Sequence, residues 1–273
     1  MGSDKVRMPA VAGQFYPSSP IKLSALIAGF IDKDAKRLDA IACVMPHAGY
    51  VYSGAVAGAV VSRLKVKDRI IILGPNHTGA GAAFSVMSKG VWQTPLGGIK
   101  IDEKLAEAIM AECGFLEDND LAHLYEHSLE VEIPFFQYFN KDFQIVPIVI
   151  GSHNPEYLKK LGLGIAAAVN AAGLKDSALI AASSDMTHYE PQEKAEIKDK
   201  QAIEAILELD EAKLSRRVAE FDISMCGYAP VMAMISAAKA LGAKKTGLVK
   251  YETSGKVTGD TSSVVGYAGI IIS

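Results

Sequence analysis

The clearest pattern in the chain is a set of four apolar runs that no charged residue interrupts. These runs cover residues 41–45, 70–73, 145–150 and 178–182. A half-exposed strand alternates apolar and polar residues, so uninterrupted runs of this length predict strands that are buried on both faces. Gly74 and Pro75 follow the second run and are expected to end it, because proline cannot donate a hydrogen bond to a strand ladder.

Helices are predicted between these strands, where apolar residues recur every three or four positions. Asp102 and Asp210 are suited to cap two of these helices through their side-chain oxygens. Ser53 is expected to cap a helix of small residues that runs to residue 64. Another helix is expected to begin at Ser128.

The alternation of strands and helices predicts an α/β fold. We expect a single domain over residues 1–273, built on a central, mostly parallel or mixed sheet flanked by helices. Strands at residues 246–251 and 264–272 are expected to close the sheet, and an antiparallel pair there would make it mixed. The length of 273 residues suits one large domain, with two smaller domains as the alternative.

Composition and charge narrow the class of protein. Apolar residues make up 49% of the chain, which is enough for a sizeable core. The net charge is −3 and there is no long basic run, so we expect no nucleic acid partner. No apolar run is long enough to cross a bilayer, and residues 1–13 lack the apolar core of a signal peptide. The three cysteines have no CxxC spacing. These observations predict a soluble cytoplasmic protein with no membrane partner.

Polar, histidine-bearing turns follow three of the predicted strands. His47 follows the first run, His77 follows the second, and Asp185 and His188 follow the last. The carboxyl ends of neighbouring parallel strands share one edge of a sheet, where ligand sites lie in open α/β folds. Cys226 precedes a predicted helix, and a helix N-terminus lowers the pKa of a thiol toward the thiolate that metals bind. Together these side chains predict a metal site.

Each of these residues also has an ordinary structural interpretation. His47 and His77 could be hydrogen-bonded loop residues, and Asp185 and His188 could cap the next helix. Cys226 could be a small buried apolar residue, as free cysteines commonly are. The convergence of four of the six histidines on strand or helix ends, counting His127 before the helix at residue 128, favours the functional interpretation. The remaining histidines, His123 and His153, and Cys43 are interpreted as structural.

Several common catalytic motifs are missing from the sequence. No glycine cluster has the dinucleotide-binding spacing at a strand–helix turn, and no Walker lysine follows any of them. No Gly-x-Ser-x-Gly elbow is present. A nucleotide site and a serine hydrolase are therefore both weakly supported.

Five sequence blocks together resemble the Memo family, and they occur in order from about residue 9 to the end of the chain. The blocks are PHAGYVYSG at 46–54, LGPNH at 73–77, EHSLEVEIP at 126–134, SSDMTH at 183–188 and CGYAP at 226–230. The resemblance implies a fold similar to that of class III extradiol dioxygenases, which are non-heme iron enzymes.

The resemblance also implies roles for individual residues. His47, His77 and Cys226 would be the metal ligands, with the cysteine in the place of the carboxylate of the dioxygenases. His188 would be the acid/base, oriented by Asp185. Asp185 and His127 would stand in the second shell or face the substrate.

Three more residues are candidates for contact with a ligand. Tyr50 and Tyr52 lie in the turn after the first strand, and Asn76 directly precedes His77. The ligand would be a small molecule or a peptide. A homo-oligomer is compatible with the sequence, because a predicted helix at residues 225–241 could expose an apolar face to a partner.

The expected function is that of a Memo-family metal-binding protein with a mononuclear site and a redox role. Iron is the first expectation, and a thiolate would also accept copper or zinc. Whether the protein is an enzyme stays open at this point. The alternatives are a metal-independent module that binds a peptide or a small anion in a vestigial enzyme pocket, and a zinc hydrolase with water in the fourth position.

Overall fold

Twelve strands and ten helices occur in residues 5–273, which are the residues that this computed structural model describes. Residues 1–4, which belong to the segment expected to lack a signal peptide and to the predicted domain, lie outside the described part. The strands are β1 (Val6–Arg7), β2 (Ala42–Met45), β3 (Arg69–Pro75), β4 (Phe84–Val86), β5 (Val91–Thr94), β6 (Gly97–Lys100), β7 (Glu117–Asp118), β8 (Gln144–Ile150), β9 (Ala178–Ser183), β10 (His188–Glu190), β11 (Thr246–Thr253) and β12 (Val264–Ile272). The helices are α1 (Pro20–Phe30), α2 (Tyr50–Ser62), α3 (Glu103–Glu112), α4 (Leu121–Leu124), α5 (Ile133–Phe139), α6 (Pro155–Ala171), α7 (Gln192–Leu207), α8 (Glu211–Glu220), α9 (Tyr228–Ala240) and α10 (Gly255–Thr258).

The four predicted buried strands lie side by side at the centre of a nine-stranded sheet. Its order is β10-β12-β2-β9-β3-β8-β4-β7, with β11 also paired to β12. Strands β2, β9, β3 and β8 are parallel, whereas β12 runs antiparallel to β2, β10 and β11. The prediction of a single α/β domain on a mostly parallel, mixed sheet is therefore confirmed. A separate three-stranded sheet has the order β1-β5-β6.

Both faces of the central sheet are buried, as the uninterrupted apolar runs predicted. Along β3, Ile71 and Leu73 point into the core with α3, α6 and α9, while Ile70 and Ile72 point into the core with α1, α2 and α5. Because side chains alternate between the faces of a strand, a strand with helices on both sides needs apolar residues at every position. Polar side chains can then gather only where the strands end, such as at the carboxyl ends of the parallel strands.

The structure corrects three local predictions. Strand β3 does not end at Leu73 but continues through Pro75, which pairs with Ile150, and the next backbone N–H, that of Asn76, donates to the Ile150 carbonyl. Helix α2 begins at Tyr50 with Gly49 as its N-cap, so Ser53 is not the cap and its hydroxyl donates to the Ala48 carbonyl.

The helix expected at Ser128 begins instead at Ile133, with Pro134 in its first turn. The preceding turns bury three carboxylates, those of Glu126, Glu130 and Glu132.

The expected apolar docking face at residues 225–241 is not exposed. Every residue of α9 from Ala229 to Ala238 is buried, because the helix packs between the sheet and α6 and α8. This helix is therefore part of the core, and its apolar residues are not available to a partner. Within residues 5–273, no helix combines the length and the apolar character needed to cross a membrane.

Candidate metal centre

The histidine-bearing turns meet at one edge of the sheet because their strands are neighbours. Strand β9 lies between β2 and β3, and all three run parallel. His47 follows β2 by two residues, His77 follows β3 by two residues, and Asp185 follows β9 by two residues. The geometric expectation from the sequence is therefore confirmed.

Cys226 joins His47 and His77 in a group that could hold a metal ion. One ligating atom from each residue lies within 4.8 Å of those of the other two. The Cys226 Sγ atom lies 3.3 Å from His47 Nε2, and the His47 and His77 ring centroids are 5.1 Å apart. A tetrahedral ion with ordinary Zn–N and Zn–S bond lengths holds its nitrogen and sulfur about 3.5 Å apart. The spacing of the sulfur and the nitrogen thus fits a metal without rearrangement.

The orientation of His47 is fixed from the side away from the sulfur. Its Nδ1 lies 2.8 Å from Ser183 Oγ, and that hydroxyl donates to the Ser128 carbonyl at 2.7 Å. Since the hydroxyl proton of Ser183 is used in this way, the oxygen accepts a hydrogen bond from His47 Nδ1–H. The lone pair of this imidazole is therefore on Nε2, which faces Cys226.

His77 is oriented by a carboxylate that the sequence analysis did not single out. Glu126 is fully buried, its Oε1 lies 2.9 Å from His77 Nδ1, and its Oε2 accepts the His77 backbone N–H at 2.6 Å. Glu126 Oε1 also accepts the backbone N–H of Ser128 at 2.9 Å. A carboxylate that holds the far nitrogen of a ligating histidine is a common outer partner of metal sites. His77 Nε2 is thus left free.

The pKa of Glu126 shows that its charge is held in place. Burial alone would raise the pKa of this carboxyl, but the hydrogen bond and charge of His77, together with the two backbone N–H groups, lower it to about 2. The ionised carboxylate increases the electron density that His77 can offer through its other nitrogen.

In two of the ligand candidates, His47 and Cys226, burial favours the neutral form of the side chain. It lowers the pKa of His47 well below its usual value, aided by the nearby imidazoles, so His47 is neutral. Burial and the charge of Asp185 raise the pKa of Cys226, so the expected lowering of this pKa at a helix N-terminus is wrong. The sulfur stands one residue before Gly227, the N-cap of α9, and desolvation outweighs the helix dipole there.

His188 is held by Ser224 and not by Asp185. Its backbone N–H donates to Ser224 Oγ at 2.7 Å, and its Nδ1 lies 2.9 Å from the Ser224 carbonyl oxygen. Asp185 instead accepts the backbone N–H of His47 at 2.9 Å. Burial raises the pKa of Asp185 to about 6, although the backbone N–H groups of His47 and Ala48 oppose this. Asp185 therefore positions a metal-ligand candidate and not the acid/base candidate.

His127 lies against the metal group and faces the same cavity. Its ring stacks on His77 with a centroid distance of 4.6 Å, and its Nδ1 lies 3.5 Å from Glu126 Oε1. Phe15 covers it from the N-terminal segment at 4.9 Å. His77, Glu126 and His127 also form a second group with metal-ligand spacing, but Glu126 there already accepts three hydrogen bonds from the protein.

An open cavity of about 620 Å³ lies over this edge of the sheet. Imidazoles, aromatic rings and hydroxyl groups line it, and the lining includes His47, His77, His127, His188, Tyr52 and Tyr267. This volume is within the range of small-molecule sites, about 300–1,000 Å³.

Two of the predicted ligand contacts lie elsewhere. Tyr50 is fully buried in the core and its hydroxyl donates to the Val131 carbonyl at 2.7 Å, so it does not line the cavity. Asn76 does not line it either, because its side chain braces the loop that follows, with Nδ2 donating to the Ala80 carbonyl and Oδ1 accepting the Gly79 N–H. Tyr52 does line the cavity.

Comparison with known proteins gives a consistent family result. Residues 7–271 match the family of Memo-like proteins. A MEMO1 family protein of Methanococcoides burtonii is 46% identical over 98% of this chain and 100% of its own length. A MEMO1 family protein of Sulfolobus acidocaldarius is 43% identical over 97% of this chain and 98% of its own. Among solved structures, an uncharacterized protein of Escherichia coli K12 has 14% identity and a TM-score of 0.49, over 83% of this chain and 98% of that one.

Proposed function

Because the chain belongs to the Memo family, we propose that it is a mononuclear metal protein with a redox role, in which His47, His77 and Cys226 hold the ion. The observation that supports this most is the state of the two imidazoles. Each has its Nδ1 on an acceptor, Ser183 or Glu126, so that each can present a free Nε2 to one point beside the sulfur. Such preorganisation is what a metal site requires from the residues around it.

Iron is the metal that we propose first. Three protein ligands leave open positions for an exogenous ligand, and the resemblance to the dioxygenases connects such a site with non-heme iron. When bound, iron would supply one-electron redox chemistry at those positions. Copper remains the second choice, because a thiolate is a soft ligand that favours Cu(I).

The remaining polar groups would handle protons and the ligand. Since His188 donates from Nδ1 to the Ser224 carbonyl, its Nε2 is available to take up or release a proton in the cavity. His127 stacks on His77, lines the cavity and would contact the ligand. These are the roles that we assign to an acid/base and to a substrate-facing residue.

The metal assignment is tested by the metal content of protein purified without oxygen. We expect about one equivalent of a transition metal in the wild type and its loss in the His47→Ala, His77→Ala and Cys226→Ala variants. His153→Ala and Cys113→Ala are matched controls, since His153, which stacks on Tyr228, and Cys113, which is buried between α3 and α6, belong to no group with metal-ligand spacing. Unchanged metal content in the three ligand variants would refute the assignment.

The redox role is tested separately by oxygen consumption after loading with Fe(II). We expect consumption that depends on iron and decreases in a His188→Gln variant that retains its metal. Retention of zinc without any redox activity would instead identify a hydrolase-type site. Binding of a peptide or small anion that is equally tight without metal would identify a vestigial pocket.

A further inference from the structure

The segment that carries Cys226 lies along the polar segment that follows β9. Two hydrogen bonds join these segments, one on each side of the cysteine. Ser224 Oγ accepts the His188 backbone N–H at 2.7 Å, and the Gly227 backbone N–H donates to Ser184 Oγ at 3.0 Å. Cys226 is therefore fixed on both sides by the same neighbouring segment.

Ser184 is fully buried and uses its hydroxyl group in two hydrogen bonds. Its Oγ accepts the Gly227 N–H and donates to the Asp185 carbonyl at 2.7 Å. The same carbonyl accepts the Cys226 S–H at 3.7 Å. A closed ring of contacts results, in which only Ser184 and Cys226 contribute side-chain atoms.

The central sheet connects this ring of contacts with His47. The Ser184 backbone N–H donates to the Met45 carbonyl at 2.9 Å, where the parallel strands β9 and β2 end side by side. His47 follows Met45 by two residues, so the sheet fixes its backbone relative to Ser184. The end of β9 thus sets the 3.3 Å distance between Cys226 Sγ and His47 Nε2.

Gly227 permits the close approach because it has no side chain. A Cβ atom at this position would lie 2.5 Å from Ser184 Cβ and closer still to the Ser183 carbonyl oxygen. Carbon atoms in contact normally lie about 3.5–4.0 Å apart, so a larger residue would displace the cysteine or the strand by about 1 Å. The side chains of a functional site must be held to within about 0.5 Å. A displacement of this size would therefore separate the sulfur from the imidazole.

We propose that Ser184 and Gly227 are positioning residues for Cys226, which hold its sulfur at the distance from His47 at which one ion can bind to both side chains. The proposal rests on the proposed function, because it concerns the geometry of the metal group. Neither residue is itself a ligand, and both act through the backbone beside the cysteine.

The first test is the zinc affinity of the full-length protein, measured by competition with a chromophoric chelator. We expect Ser184→Ala to weaken zinc binding about tenfold and Gly227→Ala about a hundredfold, which is the range for residues that support metal ligands. Ser236→Ala and Gly164→Ala are the matched controls, and they should leave the affinity unchanged. Ser236 is a buried serine that hydrogen-bonds within α9, and a Cβ atom on Gly164 would overlap the Cys113 sulfur between α6 and α3.

Cobalt(II) distinguishes a displaced sulfur from a general loss of stability. A cobalt–thiolate bond gives a charge-transfer absorption. This absorption per bound ion should fall in Ser184→Ala toward the value of Cys226→Ala, because the two imidazoles can still bind, and both controls should keep the wild-type value. Wild-type affinity and absorption in Ser184→Ala would overturn the proposal, and this variant alone decides if Gly227→Ala does not fold.

A structural measurement tests the positioning role independently of the metal. In a crystal structure of metal-free Ser184→Ala, we expect the distance between Cys226 Sγ and His47 Nε2 to exceed the 3.3 Å of the wild type by about 0.5 Å or more. An unchanged distance would refute the positioning role. Equal zinc binding by wild type and Cys226→Ala would instead refute the metal assignment, and the measured distance would still decide the role of Ser184.

Discussion

Two buried polar clusters lie near each other and differ in one respect, which is whether their hydrogen-bonding capacity is used up. In the first, Arg7 pairs with Glu130 and also donates to the carbonyls of His123, at 3.1 Å, and Glu126, at 2.6 Å. Glu130 accepts further hydrogen bonds from the backbone of Ala10 and Val11 and from a tyrosine hydroxyl. In the second cluster, His77 Nε2 has no hydrogen-bond partner among residues 5–273, and His47 Nε2 has only the Cys226 sulfur, at 3.3 Å.

The difference separates a structural role from the chemical role that we propose. The Arg7–Glu130 cluster ties the N-terminal segment to the turns before α5, and it has no capacity left for a ligand. The metal group uses the Nδ1 of each imidazole for support, and the Nε2 atoms make only the His47–Cys226 contact. Burial and charge are common to both clusters, so neither property alone identifies a functional site.

The largest effect is expected when the saturated cluster is broken. Arg7→Leu leaves the fully buried Glu130 without its counter-ion, and we expect a loss of about 3–5 kcal/mol in the free energy of unfolding. Chemical denaturation measures this loss. The double variant Arg7→Leu/Glu130→Leu should recover part of it, because the uncompensated charge is removed. A change below about 1 kcal/mol in the single variant would show that the pair contributes as little as an exposed one.

A smaller effect is expected from a change on the supporting side of the metal group. Glu126→Gln removes the charge behind His77 and should weaken metal affinity by about 10–100-fold. Competition with a chromophoric chelator measures the affinity. The control is Glu156→Gln, which removes a carboxylate from an exposed ion pair with Lys160 and should leave metal affinity unchanged. Equal affinities in both variants would mean that Glu126 only shapes the loop.

The smallest effect concerns His123. Both of its ring nitrogens lack a hydrogen-bond partner among residues 5–273, but the residue does not line the cavity. It is fully buried against Trp92, and burial together with Arg7 lowers its pKa to about 4, while Asp120, a backbone contact and Glu126 oppose the shift. Below the unfolded pKa of 6.5, the unfolded chain binds a proton that the folded chain rejects, so stability is full above that pH and falls between 6.5 and 4. From pH 6 to pH 5, His123 should remove about 1.2 kcal/mol from the free energy of unfolding.

The measurement is the slope of unfolding free energy against pH in wild type and in His123→Phe. The slope should be shallower in His123→Phe by that amount. The control is His153→Phe, a substitution at an exposed position, and its slope should match that of the wild type. Parallel slopes for wild type and His123→Phe would show that His123 can take up its proton in the folded state.

The sequence was sufficient for the parts of the site that depend on the sheet. Uninterrupted apolar runs identify buried parallel strands, and parallel neighbours bring His47, His77 and Asp185 to one edge. Cys226 was suggested by its place before a predicted helix, but its role as a ligand came from the resemblance, because no spacing rule connects a residue before α9 with the end of β2.

Two errors in the predicted site, the choice of Tyr50 and the omission of Glu126, have a geometric cause. Successive helix residues differ by about 100° in direction, so a start at Tyr50 instead of Ser53 decides which tyrosine faces the cavity. Tyr50 points into the core and Tyr52 outward, and no local pattern distinguishes them. Glu126 was overlooked because an acidic, irregular segment is ordinarily solvated. Its burial depends on His77, which is 49 residues away in the chain.

The distance along the chain between His47 and Cys226 has a consequence for biosynthesis. These two residues are 179 positions apart, so the imidazoles leave the ribosome well before the sulfur does. A nascent chain could offer an ion only two nitrogens, and firm retention must wait until the last third of the polypeptide has docked. Loading would then report that folding is complete, and an ion bound only by the native state would hold the early and late parts of the chain together.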